Sequence, residues 1–470
     1  MLKLWNTASR SLEEFKPISP PHVGMYTCGP TVYWTAHIGN LRTYVFEDVL
    51  QRTLELEGFD VKRVMNITDV GHLTSDEDEG EDKIEAAAAK EGKKAADIAA
   101  YYTQRFLEDA RKLNIAIPKP PYLCKATEHI AEQIDLIKTL ESKGFTYQTS
   151  DGIYFDTSKF PPYGTLSGQR LEEKEEGARV AVNTEKRNKS DFALWKFSPQ
   201  ATPDSRLTIP TPRRQQEWPS PWGIGFPGWH IECSAMSRTY LGQPFDIHCG
   251  GIDHIPVHHE NEIAQSEAAY GVKLANYWMH GEFLLVDGHK MSKSVGNVYT
   301  IPDIEAHGAD PLALRYLFLG THYRQKQNFT WEALQSAQNA LGKLRNTIRS
   351  WETSEIGCAE YEGNFKKALE DDLNTPVALS VMWKLVDDPK FPTGAKAATI
   401  EWMDRVLGLS LSNIIGYRFA VPAAVTEIVT LREEARSRKN WEEADRLRDE
   451  IATLGWNVED TKEGTSLQPM

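Results

Sequence analysis

Residues 23–70 read VGMYTCGPTVYWTAHIGNLRTYVFEDVLQRTLELEGFDVKRVMNITDV, and this stretch decides the fold. Residues 23–33 are an apolar run broken by Gly29-Pro30, which predicts a short buried strand followed by a turn. Residues 37–58 carry apolar side chains at helical spacing, and residues 60–70 predict a second strand. A strand, a helix and a strand of this length form a βαβ unit, so we predict an α/β protein with a Rossmann-like parallel sheet.

The rest of the chain divides into segments that differ in composition and in predicted secondary structure. Residues 83–115 are predicted to be helical, and residues 245–248 and 277–286 are predicted strands. Beyond residue 300 the pattern is helical, whereas the polar end at 459–470 is expected to fray. The predicted divisions are the first half of the α/β domain at 1–117, an inserted connective subdomain at 118–225, the second half at 226–300, a helical stem or bundle at 301–412 and a small C-terminal region at 413–470. The C-terminal domains are predicted to be all-α.

The composition limits the class of protein. A chain of 470 residues, 40% hydrophobic and 26% charged, is typical of a globular protein of several domains. Because no apolar signal segment and no membrane span is visible, we expect a cytoplasmic protein with no membrane partner. The net charge of −14 taken alone argues against a nucleic-acid partner, although a local basic patch can coexist with an acidic whole. Five scattered cysteines argue against a disulfide framework and favour metal binding or burial.

The start of the predicted helix has features of a phosphate site. The string HIGN runs from His37 to Asn40, where the helix begins. His37 can meet a phosphate beside the unpaired backbone N–H groups of the first turn, and Asn40 can hydrogen-bond phosphate or ribose. Gly39 removes a side chain where a nucleotide must come close. Alone, such a string would more often be a chance helix start.

Two further strings supply complementary groups. The string KMSKS at 290–294 places Lys290 and Lys293 on a glycine-bounded loop, where two ammonium groups can close over a triphosphate. In GGID at 250–253, Gly251 permits close approach and Asp253 can accept hydrogen bonds from ribose hydroxyls. The alternative for GGID is a simple turn at the end of a strand.

HIGN and KMSKS, in this order, resemble the paired ATP-binding signatures of the class I aminoacyl-tRNA synthetases. The usual fourth residue of the first signature in that family is His, and Asn40 cannot carry its charge. The resemblance implies Mg²⁺ with ATP, and it implies catalytic roles for His37, Asn40, Lys290 and Lys293 and ATP contacts by His37, Gly39, Asn40, Gly251, Asp253 and Lys293.

Four residues distant in sequence resemble the metal ligands of the cysteinyl-tRNA synthetase family. CGPTVY contains Cys28, GWHIECSAM contains Cys233, and HHENE contains His258 and Glu262. Two thiolates, an imidazole and a carboxylate suit Zn²⁺, and the i, i+4 spacing of His258 and Glu262 puts them on one helix face. The spacing is not that of a zinc finger, so only the resemblance assembles these four, and buried structural cysteines would otherwise be the better interpretation. By residue type, the competing ligands are His248, Cys249, His254 and His259.

The resemblance implies one Zn²⁺ per chain and a reason for its presence. A substrate thiol can lose its proton and bind zinc directly, whereas the hydroxyl of serine is far harder to ionise. A site built around a specific bond rejects analogues that lack it, so the insertion is not required to be an editing domain. Gly29, Thr68 and Trp229 are the implied contacts of the amino acid, although Trp229 is about equally well explained as a core residue.

The implied reaction converts ATP and L-cysteine to cysteinyl-adenylate and transfers cysteine to the 3′-terminal adenosine of the cysteine tRNA. The region at 413–470 is then expected to contact tRNA, where Trp456 could stack on a base or simply pack, and the enzyme is expected to be a monomer. One rival is a cysteine:amino-sugar ligase of the mycothiol-biosynthesis type, which the helical tail disfavours. Another is a catalytically inactive RNA- or metal-binding paralogue, which intact His37 and Lys293 disfavour. Methionine activation is disfavoured because a thioether cannot form a thiolate.

Overall fold

The computed structural model describes the chain apart from a few short gaps. The residues outside the description are 72, 74–81, 169–183, 199–213, 293–294, 353, 355, 418–420, 462–463 and 470. The chain begins with an antiparallel ribbon of two strands, β1 (Lys3–Asn6) and β2 (Ser11–Glu14).

A five-stranded parallel sheet is the centre of the α/β domain, which confirms the predicted fold class. Its strands are β3 (His22–Thr27), β4 (Asp60–Ile67), β5 (Leu123–Lys125), β11 (Phe245–Gly251) and β12 (Ala275–Gly281). Their order is β12-β11-β3-β4-β5, and every neighbouring pair is parallel. The carboxyl ends of β3 and β11 therefore meet at one edge of the sheet, where α/β folds bind their ligands.

The helix predicted at 37–58 is α1 (Ile38–Leu56), which connects β3 to β4 and buries its apolar face. The helical segment predicted at 83–115 is two helices, α2 (Lys83–Glu91) and α3 (Ala95–Lys112). Gly92 adopts a φ of 62° at the end of α2. This left-handed conformation, which glycine adopts without steric cost, ends the first helix and separates it from the second.

The chain between β5 and β11 builds a second, antiparallel sheet flanked by helices. Its elements are α4 (Ile130–Ser142), β6 (Thr146–Gln148), β7 (Gly152–Phe155), β8 (Phe192–Phe197), β9 (Trp218–Ser220), β10 (Gly223–Pro227) and α5 (Trp229–Leu241). The strand order is β6-β7-β8-β10-β9. The interval 118–225 assigned to an insertion thus contains most of this sheet. It also contains β5, which pairs with β4 in the parallel sheet.

The prediction of a single strand at 277–286 is wrong. After α6 (Glu260–Tyr270), β12 ends at Gly281, and the chain enters a different sheet at β13 (Leu284–Val286). The partners of β13 are β14 (His289–Lys290) and β15 (Gln327–Phe329). At the break, Nη1 of the buried Arg42 donates to the carbonyls of Glu282 and Phe283, at 2.5 and 3.1 Å, and the Phe283 carbonyl also accepts the backbone N–H of Gln327 in β15 at 3.2 Å.

Beyond residue 300 the structure is mainly helical, as predicted, although it also contains β15 and a C-terminal hairpin. The helices are α7 (Ile301–Ala306), α8 (Pro311–Leu319), α9 (Trp331–Arg349), α10 (Ala359–Glu370), α11 (Thr375–Asp387), α12 (Thr393–Leu407), α13 (Ala423–Ser437) and α14 (Trp441–Thr453). The expectation that 459–470 frays is wrong, because β16 (Trp456–Thr461) and β17 (Gly464–Pro469) form an antiparallel hairpin.

Asp48 of α1 joins the α/β domain to the helices that follow it. Its carboxylate accepts hydrogen bonds from Arg315 of α8 at 2.6 Å and from Arg52 at 2.8 Å. Arg315 is completely buried and also donates to the carbonyls of Leu407 and Leu113. One network therefore holds α1, α3, α8 and α12 together. No helix in the described parts of the chain has the length and apolarity that crossing a bilayer requires.

Candidate active site and metal centre

A reciprocal pair of hydrogen bonds closes the start of α1. Nδ1 of His37 accepts from the backbone N–H of Asn40 at 3.1 Å, and Oδ1 of Asn40 accepts from the backbone N–H of His37 at 3.2 Å. This capping box satisfies two N–H groups that a helix start leaves unpaired. With Nδ1 as an acceptor, a neutral His37 carries its proton on Nε2, the atom that would donate to a phosphate. Asn40 therefore orients His37, a role that needs no charge.

The KMSKS segment lies directly against HIGN. The Cε of Met291 occupies the space that a Cβ at Gly39 would need, so the two strings are in contact. Asn297 holds the loop, because its Oδ1 accepts from the backbone N–H of Ser292 at 2.8 Å and its Nδ2 donates to the Lys290 carbonyl at 3.3 Å. The Lys290 ammonium lies 5.0 Å from the ring centre of Phe283. Lys293, predicted to be catalytic, lies outside the described residues.

A cleft lies at the carboxyl edge of β3 and β11 and extends between HIGN and KMSKS. The predicted site residues that line it are Cys28, Gly29, His37, Gly39, Asn40, Trp229, Gly251, Asp253, His258 and Lys290. Gly29 donates its N–H to Oδ1 of Asn66 at 2.8 Å, and a Cβ at Gly29 would overlap the backbone carbonyl of Asn66. Only glycine fits there without moving the backbone of β4.

Cys28, Cys233, His258 and Glu262 converge beside this cleft, and Cys28 and His258 line it. Their ligand atoms all lie within 4.8 Å of one another, and all four residues are buried. Cys28 follows β3 and Cys233 lies in α5, while His258 lies in a π-helical turn that leads into α6. Nε2 of His258 is 3.0 Å from Oε1 of Glu262, which confirms that the i, i+4 pair shares one face. The geometry thus brings together the four residues that the family resemblance implied.

Three buried histidines support the cluster from behind. Nδ1 of His230 is 3.1 Å from Nδ1 of His258, and Nε2 of His248 is 3.0 Å from Oε2 of Glu262. Nε2 of His259 is 3.3 Å from the Cys28 thiol. These contacts turn Nε2 of His258 and Oε1 of Glu262 toward the cluster, as outer-shell partners of metal ligands do. The sequence pointed to this layer only through its high density of histidines.

A second set of four groups, Cys28, His248, His259 and Glu262, also lies within 4.8 Å. His248 and His259 are buried and are not among the residues that line the cleft, whereas His258 is. The set that contains Cys233 and His258 is therefore the one that a substrate in the cleft can reach.

Two of the competing ligands belong to neither set. Among the described residues, Cys249 and His254 are absent from both groups of ligand atoms. Successive side chains of a strand point to opposite faces, so His248 faces the cluster while Cys249 packs with Met25 and Phe46 in an apolar core. His254 instead accepts the N–H of Gly251 on Nδ1 at 3.3 Å.

Burial and mutual contact shift the pKa of every member of the cluster. Burial raises the pKa of the Cys28 thiol well above its usual range, and its hydrogen bond with Cys233 adds to this. Burial also acts to raise the pKa of Cys233, but the hydrogen bond from Cys28 and the charge of His258 outweigh it and lower that pKa to about 6. Burial opposes charge on both members of the other pair, yet their mutual attraction raises the pKa of His258 to about 10, and His248 with His258 lowers the pKa of Glu262 to about 2.

The two side chains expected beside the amino acid differ in position. The indole of Trp229 lines the cleft and stacks on His258, with ring centres 4.4 Å apart and planes at 28°. Thr68 is buried and is not among the residues that line the cleft. Its hydroxyl donates to Glu232 at 3.0 Å and accepts from Asn66 at 3.0 Å. Thr68 therefore supports Asn66 and, through it, Gly29.

The C-terminal region is held by contacts that use several of its arginines and its last tryptophan. Arg432 donates to both carboxylate oxygens of Asp460, at 3.0 and 2.8 Å, and Arg436 also pairs with Asp460. Trp456 is buried with Val425, Ile451 and Val458. Of the two interpretations of Trp456, packing is the one that the structure supports.

Comparison with solved structures gives the class of the fold. A methionyl-tRNA synthetase from Mycobacterium tuberculosis, in complex with methionyl-adenylate, aligns with a TM-score of 0.54 at 16% identity, over 84% of this chain and 93% of that chain. A LeuRS–tRNA–LeuAMS complex from Agrobacterium radiobacter aligns with a TM-score of 0.57 at 12% identity, over 86% of both chains. The fold is that of these aminoacyl-tRNA synthetases.

Sequence comparison gives the family. The family model "tRNA synthetases class I (C) catalytic domain" matches residues 14–339, "DALR domain" matches 364–388, and "Cysteinyl-tRNA ligase anticodon binding domain" matches 420–466. A "Cysteine--tRNA ligase 1" from Burkholderia lata is 51% identical over 467 residues, covering 99% of this chain and 96% of the relative. A "Cysteine--tRNA ligase" from Treponema denticola is 44% identical over 492 residues, covering 98% of both.

The chain belongs to the cysteinyl-tRNA synthetase family and is a cysteine–tRNA ligase. Its substrates are those of a synthetase, namely ATP, an amino acid and tRNA. Neither the amino-sugar ligase nor the inactive paralogue is favoured by these matches.

Proposed function

We propose that the enzyme selects cysteine through a zinc–thiolate bond at the cluster of Cys28, Cys233, His258 and Glu262. The observation that carries this proposal is the convergence of these four ligand atoms within 4.8 Å, with two of the four residues, Cys28 and His258, lining the cleft. Two thiolates, one imidazole and one carboxylate form a donor set that suits Zn²⁺. When bound, one Zn²⁺ per chain would accept the ionised thiol of cysteine as a further ligand, a bond that serine and alanine cannot match.

The surrounding residues prepare this site for the substrate. His230 and His248 orient His258 and Glu262 through hydrogen bonds of 3.1 and 3.0 Å. Trp229, stacked on His258, closes the side of the cleft beside the amino acid and excludes water. Gly29 leaves room for the substrate, and Thr68 acts behind it as a positioning residue. A site with such a specific bond does not depend on a separate editing domain.

The ATP end of the cleft provides positioning and charge. Nε2 of His37 donates to the phosphates, Asn40 keeps His37 in that orientation, and Gly39 lets the nucleotide come close. Asp253, beside Gly251, accepts from the ribose hydroxyls. Lys290 and Lys293 stabilise the charge that develops on pyrophosphate, and Mg²⁺ accompanies ATP.

The organisation that goes with this function is a catalytic domain in two halves, 1–117 and 226–300, with the connective subdomain at 118–225 between them, apart from β5, which belongs to the parallel sheet. A helical stem at 301–412 and a tRNA-contacting region at 413–470 follow. We propose a monomeric enzyme specific for the cysteine tRNA, which acts in the cytoplasm because tRNA is charged there for translation.

The test is amino-acid-dependent ATP–pyrophosphate exchange with cysteine and with serine, before and after removal of metal by a chelator. We expect exchange with cysteine alone, its loss with the metal and its return when Zn²⁺ is added back. Metal content is measured on the same samples. Exchange that persists after complete metal loss would contradict the proposed selection while leaving the ATP site intact, and comparable exchange with serine would contradict it as well.

A further inference from the structure

The mouth of the cleft carries three aromatic side chains that belong to neither the proposed ATP contacts nor the proposed metal ligands. Trp34 lies between Cys28 and α1 and is 48% exposed, and Tyr101 of α3 is 53% exposed. Tyr102, also in α3, lies between them. The rings of Trp34 and Tyr102 stack with centres 6.4 Å apart and planes at 27°, and Tyr101 meets Tyr102 edge-on at 5.1 Å. We call Trp34, Tyr101 and Tyr102 the aromatic platform.

The aromatic platform is continuous with the active-site cleft and extends beyond it. Trp34 and Tyr102 line the same cleft as His37 and His258. Tyr101 is not among the residues that line the cleft, and it continues the aromatic surface outward from Tyr102. A ligand that covers the whole platform therefore lies partly inside the cleft and partly outside it. The end of a longer chain molecule would bind in this way.

Cationic side chains border the aromatic platform, although the protein as a whole is acidic. The Lys93 ammonium lies 5.6 Å from the ring centre of Tyr101, and the Lys83 ammonium lies 5.5 Å from that of Tyr33. Lys90 and Lys94 are exposed on the same stretch of chain. Acids share this stretch, because Glu91 pairs with Lys93 at 2.9 Å and hydrogen-bonds Tyr102, and Asp97 is exposed in the first turn of α3. Aromatic rings bordered by lysines are the composition of surfaces that bind single-stranded nucleic acid.

We propose that the aromatic platform receives the unpaired terminal bases of the tRNA acceptor strand and thereby positions the 3′-terminal ribose at the adenylate. Every base has a π-face, so stacking on aromatic side chains holds a single strand without demanding a particular pairing. The transfer step requires this strand to enter the cleft, so the inference rests on the charging of tRNA by this enzyme. The adenine ring of ATP is the other planar group that enters the cleft, and the experiment separates the two.

The test compares two activities of the full-length enzyme carrying Trp34→Ala or Tyr101→Ala. Because one base–aromatic stack is worth ~5- to 150-fold in binding, we expect the KM for tRNA in aminoacylation to rise by about tenfold or more. Exchange with ATP and cysteine, which needs no tRNA, should stay within about twofold of the wild type if the platform serves only the acceptor strand. Trp34→Phe should restore most of the tRNA affinity. Tyr122→Ala is the matched control, since Tyr122 is 37% exposed beneath Lys62 but does not line the cleft.

A binding measurement gives a readout that a purely structural role would not change. Wild-type enzyme should bind intact tRNA more tightly than tRNA that lacks its three terminal nucleotides, and Trp34→Ala should abolish this difference. An equal fall in exchange and charging would assign the ring to ATP or to folding and overturn the proposal. A tRNA affinity that is unchanged in both alanine variants would also overturn it. Wild-type enzyme that exchanges but charges no tRNA would contradict the tRNA-charging function itself, a separate result.

Discussion

The terminal methyl group of Met291 packs against Gly39, so the KMSKS segment and the first turn of α1 are in direct contact. The side chain of Asn297 hydrogen-bonds the backbone on both sides of Met291, at Lys290 and at Ser292. Both strings that resemble ATP signatures thus meet at one point of the cleft, and the small size of residue 39 sets how closely they approach.

Replacing Gly39 by alanine is expected to weaken the use of ATP without lowering the stability of the protein. The added methyl would displace the end of Met291 and crowd the His37 ring, which lies 3.1 Å from the new atom, so we expect the KM for ATP to rise severalfold. Helix propensity favours alanine over glycine by about 0.5–1 kcal/mol, so the melting temperature should not fall. Met291→Ala in the same chain should recover part of the ATP affinity. A Gly39→Ala enzyme with wild-type exchange kinetics would show that this contact has no role.

Substitution of single cysteines is expected to distinguish the two buried thiols of the proposed ligand set, Cys28 and Cys233, from the buried thiol of Cys249. Cys233→Ser and Cys28→Ser should each lose bound metal, because each removes a thiolate from the proposed ligand set. Cys249→Ser is the control, since Cys249 lies on the opposite face of β11 in an apolar core. It should retain one metal ion per chain by elemental analysis, together with exchange activity. Loss of metal from the Cys249 variant, with full metal in the Cys233 variant, would reverse the assignment.

The affinity of the cluster for metal is expected to rise with pH. In the absence of metal at neutral pH, Glu262 with a pKa of about 2 and Cys233 with a pKa of about 6 are ionised. His258, with a pKa of about 10, and Cys28, whose pKa is raised well above its usual range, hold protons that a metal must displace. The affinity should therefore rise by about two logarithmic units per pH unit near neutrality, and chelator competition across that range measures the slope. A slope near zero would mean that both ligands are already deprotonated.

The buried pair of Asp48 and Arg315 is expected to matter for folding. Breaking a buried ion pair by removing one partner costs about 3–5 kcal/mol, so Arg315→Met should lower the free energy of unfolding by that order. Burial acts to raise the pKa of Asp48, but Arg315 and Arg52 outweigh it and hold that pKa below its usual value. The stabilisation by Asp48 is therefore present above its unfolded pKa and is lost as the pH falls through the folded one.

The matched control is Arg446→Met, which removes an exposed arginine paired with Glu443 and Glu450 on the surface of α14. Surface pairs contribute little, so this variant should unfold like the wild type. Chemical denaturation followed by circular dichroism compares the two substitutions. Equal stability of both variants would show that the network of Arg315 does not hold α1 to α8 and α12.

Elements with a strong apolar period could be predicted from the sequence. Elements that form only by pairing with a strand distant in sequence could not. The apolar spacing of α1 and the runs on either side of it identified the βαβ unit, because local burial dictates such patterns. β5 has three residues and takes its identity from pairing with β4, so no periodicity could reveal it. The hairpin at Trp456–Pro469 was missed for a related reason. Most of its sequence is polar, and its strand pairing and the packing of Trp456 and Val458 against Val425 and Ile451 exist only in the tertiary structure.

In the metal cluster, too, the sequence indicated the residues, and the tertiary structure determined how they meet. Family resemblance named Cys28, Cys233, His258 and Glu262, but no spacing in the chain connects Cys28 to the other three. Their meeting depends on the parallel order of β3 and β11 and on the packing of α5 and α6 at the carboxyl edge of the sheet. The role of Asn40 was also beyond the sequence, because the capping bond to His37 exists only once the helix has formed.

The sequence by itself determined the class of fold, the two strings of the nucleotide site and the residue types available to a metal. Those properties are local, since they depend on apolar period and on the chemistry of single side chains. Only the tertiary structure decided that Cys233 joins the cluster of ligand atoms while Cys249 does not. The reason is that a strand alternates its side chains between two faces, and the packing of the sheet determines which of those faces meets the site.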